Sequence, residues 1–167
     1  MPEFGFDLDI LMRDAALVLL AFALAFPIGW ERGRGAQSVG FRTLPTVAIA
    51  ACGFAILIGH ETTIGDEARA RVLQGVITGI GFVGGGAIVK SGGSVRGLVT
   101  AASIWNAGAI GVAVGFGRAN IALILCAINL ATLWVLTPLN NTPEKNEDAE
   151  GAKNGSGGSS SPKRGRS

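Results

Sequence analysis

The chain is short of the residues that most chemistry uses. Among its 167 residues there is one histidine, His60, no tyrosine, and only two cysteines, Cys52 and Cys126. One histidine excludes a two-histidine zinc site. His60-Glu61 opens like a zinc-protease motif, but Ile64 stands where the second histidine belongs. No serine sits in a nucleophile-elbow pattern. Both cysteines lie in apolar stretches far from any second ligand, as small buried residues do, and neither a disulfide framework nor a metal motif is present. No cofactor is implied, and the chain is not expected to be an enzyme.

Charge is the second scarcity. Charged residues make up 16% of the chain, against about 25% in a soluble domain. They are also segregated, absent from long spans and crowded in the last 30 or so residues. The net charge of +2 is too small to suggest nucleic-acid binding. What is abundant is apolar: 49% of residues are hydrophobic, 26 are glycine, and the mean hydropathy is +0.45. These features predict an all-α integral membrane protein whose bundle occupies residues 1–139 and whose partner is first of all the lipid bilayer.

Five spans are expected, at about 11–30, 43–59, 70–90, 98–115 and 119–136. The acidic N-terminus, with Glu3, Asp7 and Asp9, fits a secretory signal poorly. Pro27 should kink the end of the first span, and Pro45 should open the second within its first turn, where proline is tolerated. The turn at Phe116–Arg118 is so short that spans four and five must be antiparallel neighbours. Residues 140–167 hold almost nothing apolar and read as a disordered tail.

Lys and Arg in short loops set orientation. The first and third connections carry Arg32, Arg34, Arg42, Lys90 and Arg96; Arg69 and Arg71 in the second weaken the contrast. The balance places the first and third connections in the cytoplasm, the N-terminus outside and the tail inside. Glu31, the one acid at that basic face, is expected to pair with Arg42 or Arg96.

The stretch Asp66–Asn106 is the expected centre of the bundle. At roughly 100° per residue, Gly75, Gly79 and Gly86 share one face, and Gln74, Thr78, Gly81 and Gly85 form the adjacent stripe. Such faces allow close approach of another helix, of this chain or of a partner. Ala107, Gly111 and Gly115 form a further small face on the fourth span. Gly79–Gly84 matches GxGxxG, but it lies inside an apolar span and no acid follows at the required distance, so dinucleotide binding is excluded. Gly84–Ser91 lacks the second glycine of a P-loop. Gln74, Thr78, Thr100, Ser103, Asn106 and Asn129 either bond across helix contacts or line a solute path. Asp66 is either a first-turn acid suited to the helix dipole or a cation-facing group.

Collectively, GWERGRG at 29–35, GFRTL at 40–44, the Asp66-x-x-Arg69 turn, QGVITGIGFVGGGAIV at 74–89 and VRGLVTAASIWNAGAIGVAVGFG at 95–117 resemble the MgtC/SapB family of bacterial inner-membrane proteins. The resemblance is collinear over about residues 11–137. It implies a five-span membrane domain, often followed by a soluble ACT-like domain for which residues 138–167 are too short and too polar. It also implies a role in magnesium-limited growth and, in pathogens, survival inside macrophages, exercised through other membrane proteins such as the ATP synthase or magnesium P-type ATPases. The residues it singles out are Glu31, Arg32, Arg42, Thr43, Asp66, Arg69, the glycines of 75–86, Arg96, Gly97, Thr100, Ala101, Ala102 and Trp105. Two functions stay open: a regulatory protein that binds a partner, or a homo-oligomer's other subunit, through small-residue faces, and a carrier or channel for magnesium or another solute. The absence of an acid in the middle of any span favours the first. Whether a metal binds is undetermined.

Overall fold

In the computed structural model, which describes residues 7–33, 40–60, 65–91 and 94–136, the apolar runs fold as five helices. These are α1 (Leu8–Gly33), α2 (Gly40–His60), α3 (Asp66–Gly86), α4 (Leu98–Gly115) and α5 (Ala119–Leu136). A two-stranded antiparallel hairpin, β1 (Val89–Ser91) and β2 (Ser94–Arg96), joins α3 to α4. The compact unit ends at Trp134; of the second unit, only Val135 and Leu136 are described, as the last turn of α5. The polar stretch from residue 140 and Arg34 lie outside the described residues.

Among the described residues, three helices, α1, α2 and α4, are long and apolar enough to cross a membrane. α5 is as apolar but shorter over its described side chains. α3 falls below that standard because its first two turns carry Asp66, Glu67, Arg69 and Arg71 and much of the rest is glycine.

The centre of the bundle is the crossing of α2 and α4, so of the stretch Asp66–Asn106 expected there the α4 part lies at the centre and the glycine-rich helix α3 does not. The cause is a match of small residues. α2 presents Leu44, Ala48, Cys52 and Ile56 at four-residue intervals, and α4 presents Ala107, Gly111 and Gly115. A Cβ on Gly111 would land on the Ala48 carbonyl oxygen, and one on Gly115 would lie 2.6 Å from the Cys52 oxygen. The two backbones touch, as small-residue faces allow. α1 closes one side with Ala21, Ala25 and Ile28, and α5 contributes Ala122, Cys126 and Leu133 to the same core. Both cysteines are buried, and the Cys126 thiol donates to the Leu24 carbonyl 3.1 Å away, tying α5 to α1.

By contrast, α3 touches the rest at few points. Ile80 fills the space over Gly108, and Gly84 lies against the Ala101 carbonyl. A Cβ on Gly75, Gly79, Gly81, Gly85 or Gly86 would meet nothing within 4 Å. Of the two alternatives, a helix of this chain or a partner, close packing of these five glycines against another helix is not formed among the described residues. Periodicity reported that faces existed; it could not report which face had a complementary neighbour.

Element boundaries also shift. Glu31 and Arg32 belong to the last turn of α1, past the expected end at residue 30, and the helix runs through Pro27. α2 begins at Gly40, so Pro45 stands in its second turn. The third span, expected to run to residue 90, stops at Gly86. Three consecutive glycines weaken the helix there, and the Ala87 and Ile88 amides turn back onto the Gly84 and Gly85 carbonyls. Val89–Ser91 then pairs as a strand. Gly97 at the start of α4 has φ +87°, and a Cβ there would strike the Ala87 carbonyl. Only glycine fits that junction without strain.

Candidate functional site

At one end of the bundle meet the end of α1, the start of α2, the hairpin and the start of α4. Helix α1 delivers Arg32 there because its apolar stripe ends at Ile28 and Gly29, which seat against α2: a Cβ on Gly29 would lie 2.9 Å from the Gly40 oxygen and 3.2 Å from Pro45 Cδ. The half-buried Arg32 donates from Nη2 to Thr100 Oγ1 at 3.0 Å, across 68 residues of sequence. Thr100 is only 7% exposed. A charged donor on a buried hydroxyl is a strong hydrogen bond in such surroundings. It brings together two of the residues that the sequence singled out separately.

Glu31 lies beside it, half-buried, and Thr43 is half-buried on α2. Arg42 and Arg96 are exposed. The rings of Phe26, Trp30 and Phe41 cluster at the same end, with centroids 5.5–6.0 Å apart. Trp105 points outward from α4, 54% exposed.

The other candidates lie apart. Exposed Asp66 and half-buried Arg69 form an i,i+3 pair at 3.8 Å, and Arg71 donates to Glu67 at 2.6 Å one turn on. Gln74 and Thr78 are exposed on α3, where the Thr78 hydroxyl donates to the Gln74 carbonyl. They do not converge with Asn106, whose Nδ2 reaches the Leu125 carbonyl of α5 at 3.4 Å. Asn106 instead shares a cleft of about 240 Å³ between α4 and α5 with Ser103, Asn129 and Thr132. Ser103 and Thr132 donate to carbonyls four residues earlier in their own helices, a common way to hide a hydroxyl in an apolar helix. Larger apolar clefts flank α3, one of about 600 Å³ against α2 and one of about 340 Å³ against α4 and α5. Gly75 and Gly79 line the first.

Sequence reasoning passed over one pair. At the opposite end of α1, Asp14 Oδ1 lies 3.4 Å from His60 Nε2, the last residue of α2. An acid four residues inside an apolar span was the available signal. Among the described residues, no three His, Cys, Asp or Glu side chains come together as metal ligands would.

The family model described as the MgtC family matches residues 18–142. Protein MgtC of Brucella abortus (strain 2308) is 37% identical over 129 residues, which cover 77% of this chain and 53% of that protein. Protein MgtC of Salmonella choleraesuis is 36% identical over 141 residues, covering 81% of this chain and 58% of that one. The chain thus spans little more than half the length of these curated relatives. No solved structure matches it.

Proposed function

The chain belongs to the MgtC family, and from that premise we propose that it is a regulatory protein of the bacterial inner membrane that works by contact with other membrane proteins. It supports growth under magnesium limitation and, in a pathogen, virulence, and it catalyses no reaction itself. The observation that carries this reading is how the bundle distributes its surfaces. The space enclosed by α1, α2 and α4 is filled by Ile28, Leu44, Ile104, Ile110 and Val114, all essentially fully buried. Such a centre offers an ion no polar path. α3 has open space over Gly75, Gly79, Gly81, Gly85 and Gly86, the first two of them lining the cleft against α2, and there a partner helix can approach backbone to backbone. The family resemblance suggests the ATP synthase or a magnesium P-type ATPase as that partner, and a homo-oligomer would use the same face.

All five helices span the bilayer in this reading, with the N-terminus outside and the C-terminus in the cytoplasm. Support comes from Arg32, Arg42, Lys90 and Arg96 at one end, while Arg69 and Arg71 at the other are offset by Asp66 and Glu67. Cysteine labelling at residues 5, 37, 64, 93 and 150 tests it; outside labelling of 37 and 93 overturns the orientation.

A carrier for magnesium or another small solute is the alternative. Its foothold is the α4–α5 cleft, where Ser103, Asn106 and Asn129 meet. Flux measured with purified protein in liposomes decides between the two. Magnesium entry above that of protein-free liposomes would overturn the regulatory reading, and background flux together with rescued growth in low magnesium would support it.

A further inference from the structure

The hairpin between α3 and α4 is built for a surface other than water. Across the strands Val89 pairs with Arg96 and Lys90 with Val95. Paired residues of an antiparallel ladder lie on the same face, so each face carries one valine and one cation. All four side chains are exposed, Val89 by 58% and Val95 by 49%. Leu98, 57% exposed, and Val99 continue the apolar surface onto the first turn of α4, and Ile88 continues it toward α3. A hairpin bathed in water gains nothing from displaying these aliphatic groups.

Its position is fixed. Gly97 locks the hairpin's exit against the Ala87 carbonyl, and the Ile88 amide ties its entrance to Gly85. The Arg32–Thr100 bond holds the first turn of α4 beside the end of α1, where the tilted rings of Trp30 and Phe41 meet with centroids 5.5 Å apart. An exposed tryptophan such as Trp30 suits the headgroup level of a bilayer.

We propose that the paired strands β1 and β2 are a binding element for anionic phospholipid headgroups, with Lys90 and Arg96 on the phosphates and Val89, Val95 and Leu98 in the adjoining acyl boundary. The proposal rests on the reading that these helices cross a membrane. A free phosphate or nucleotide would engage the cation of one face alone and would have no use for the valines and Leu98. The lipid accounts for both.

The test uses the full chain in liposomes of mixed phosphatidylglycerol and phosphatidylcholine, with a photo-crosslinking residue in place of Val89. A second probe replaces Leu19, exposed on α1 far from the hairpin. The Val89 probe should capture phosphatidylglycerol in preference to phosphatidylcholine, and the Leu19 probe should capture both without preference. Lys90→Gln with Arg96→Gln should lower the preference at Val89 by roughly twenty-five-fold, since each cation near an anionic surface contributes about a fivefold factor. Both side chains are exposed, and unchanged Leu19 adducts show that the variant still inserts. If Leu19 captures lipid while Val89 shows no headgroup preference, or if the double variant keeps it, this inference fails and the membrane reading stands. If neither probe captures lipid, the membrane reading itself fails. Loss of the Val89 adduct on adding inorganic phosphate would make this a soluble-anion site instead, and capture of a protein in native membranes with no lipid adduct would make it a protein-docking site; either overturns the proposal.

Discussion

Replacing Gly111 by alanine, with Gly79→Ala as its counterpart, separates glycines that hold the bundle together from glycines that do not. A Cβ on Gly111 would fall on the Ala48 carbonyl oxygen, with the Ala48 carbonyl carbon at 2.9 Å and its Cα at 3.0 Å. Carbon atoms rest at about 3.5–4.0 Å, so α2 must withdraw locally by about half an ångström or more. The obstacle is backbone, which cannot rotate aside as a side chain would. Overpacking of this kind costs about 1–3 kcal/mol, and the upper part of that range applies here. Alanine's better helix propensity returns up to about 1 kcal/mol, a value measured in water. The net loss for Gly111→Ala is therefore about 1–2 kcal/mol. Gly79→Ala has open space around it and keeps only the propensity gain, so it should be neutral or stabilising by up to about 1 kcal/mol. The two variants should thus differ by about 2–3 kcal/mol, a factor of roughly 30–150 in the folding equilibrium. Denaturation of the purified monomer in one detergent reads this directly, with size-exclusion chromatography to establish that it is a monomer. Equal losses in both variants, or a larger loss in Gly79→Ala, would refute the assignment of the bundle's centre to α2 and α4.

Other perturbations probe single contacts. Thr100→Val should cost about 1.5–3 kcal/mol, the range for a hydrogen bond to a charged group, and should make a further Arg32→Leu change less costly than it is alone; additive losses in a double-mutant cycle would show that the 3.0 Å contact carries no coupling. Gly97→Ala should be far more damaging than Gly117→Ala. Both positions have positive φ, worth about 1–2 kcal/mol for a side chain, but only at Gly97 does the Cβ also strike a carbonyl; equal melting temperatures would contradict this. Asp14→Asn and His60→Gln should couple by no more than about 1 kcal/mol, because the pair is partly solvated, and a larger coupling would point to a role for the pair beyond holding two helix ends together.

Much of this protein follows from its composition. Long uncharged runs dictate helices, because an apolar surround leaves the backbone no other partners than its own. The helices α2, α4 and α5 consequently lie within a few residues of where hydropathy places them. The motif residues of the first loop and of the fourth span were also legible, as residue types in an order shared with the MgtC family. Local pattern could not decide which faces meet. Gly75 and Gly79 have the same spacing as Gly111 and Gly115, yet only the second pair has a backbone opposite it. Small residues permit contact without specifying it, and the choice falls to shape complementarity with Ala48, Cys52 and Ala55 on a helix some sixty residues earlier. The Arg32–Thr100 bond and the Asp14–His60 pair are likewise products of tertiary structure. Each joins residues whose separate sequence contexts say nothing about the other. The hairpin lies between these cases. Its β-branched valines and flanking glycines were visible, but its strand pairing required the helix to stop at Gly86 and the chain to turn at Gly97 against Ala87, a condition that exists only once α3 and α4 lie side by side.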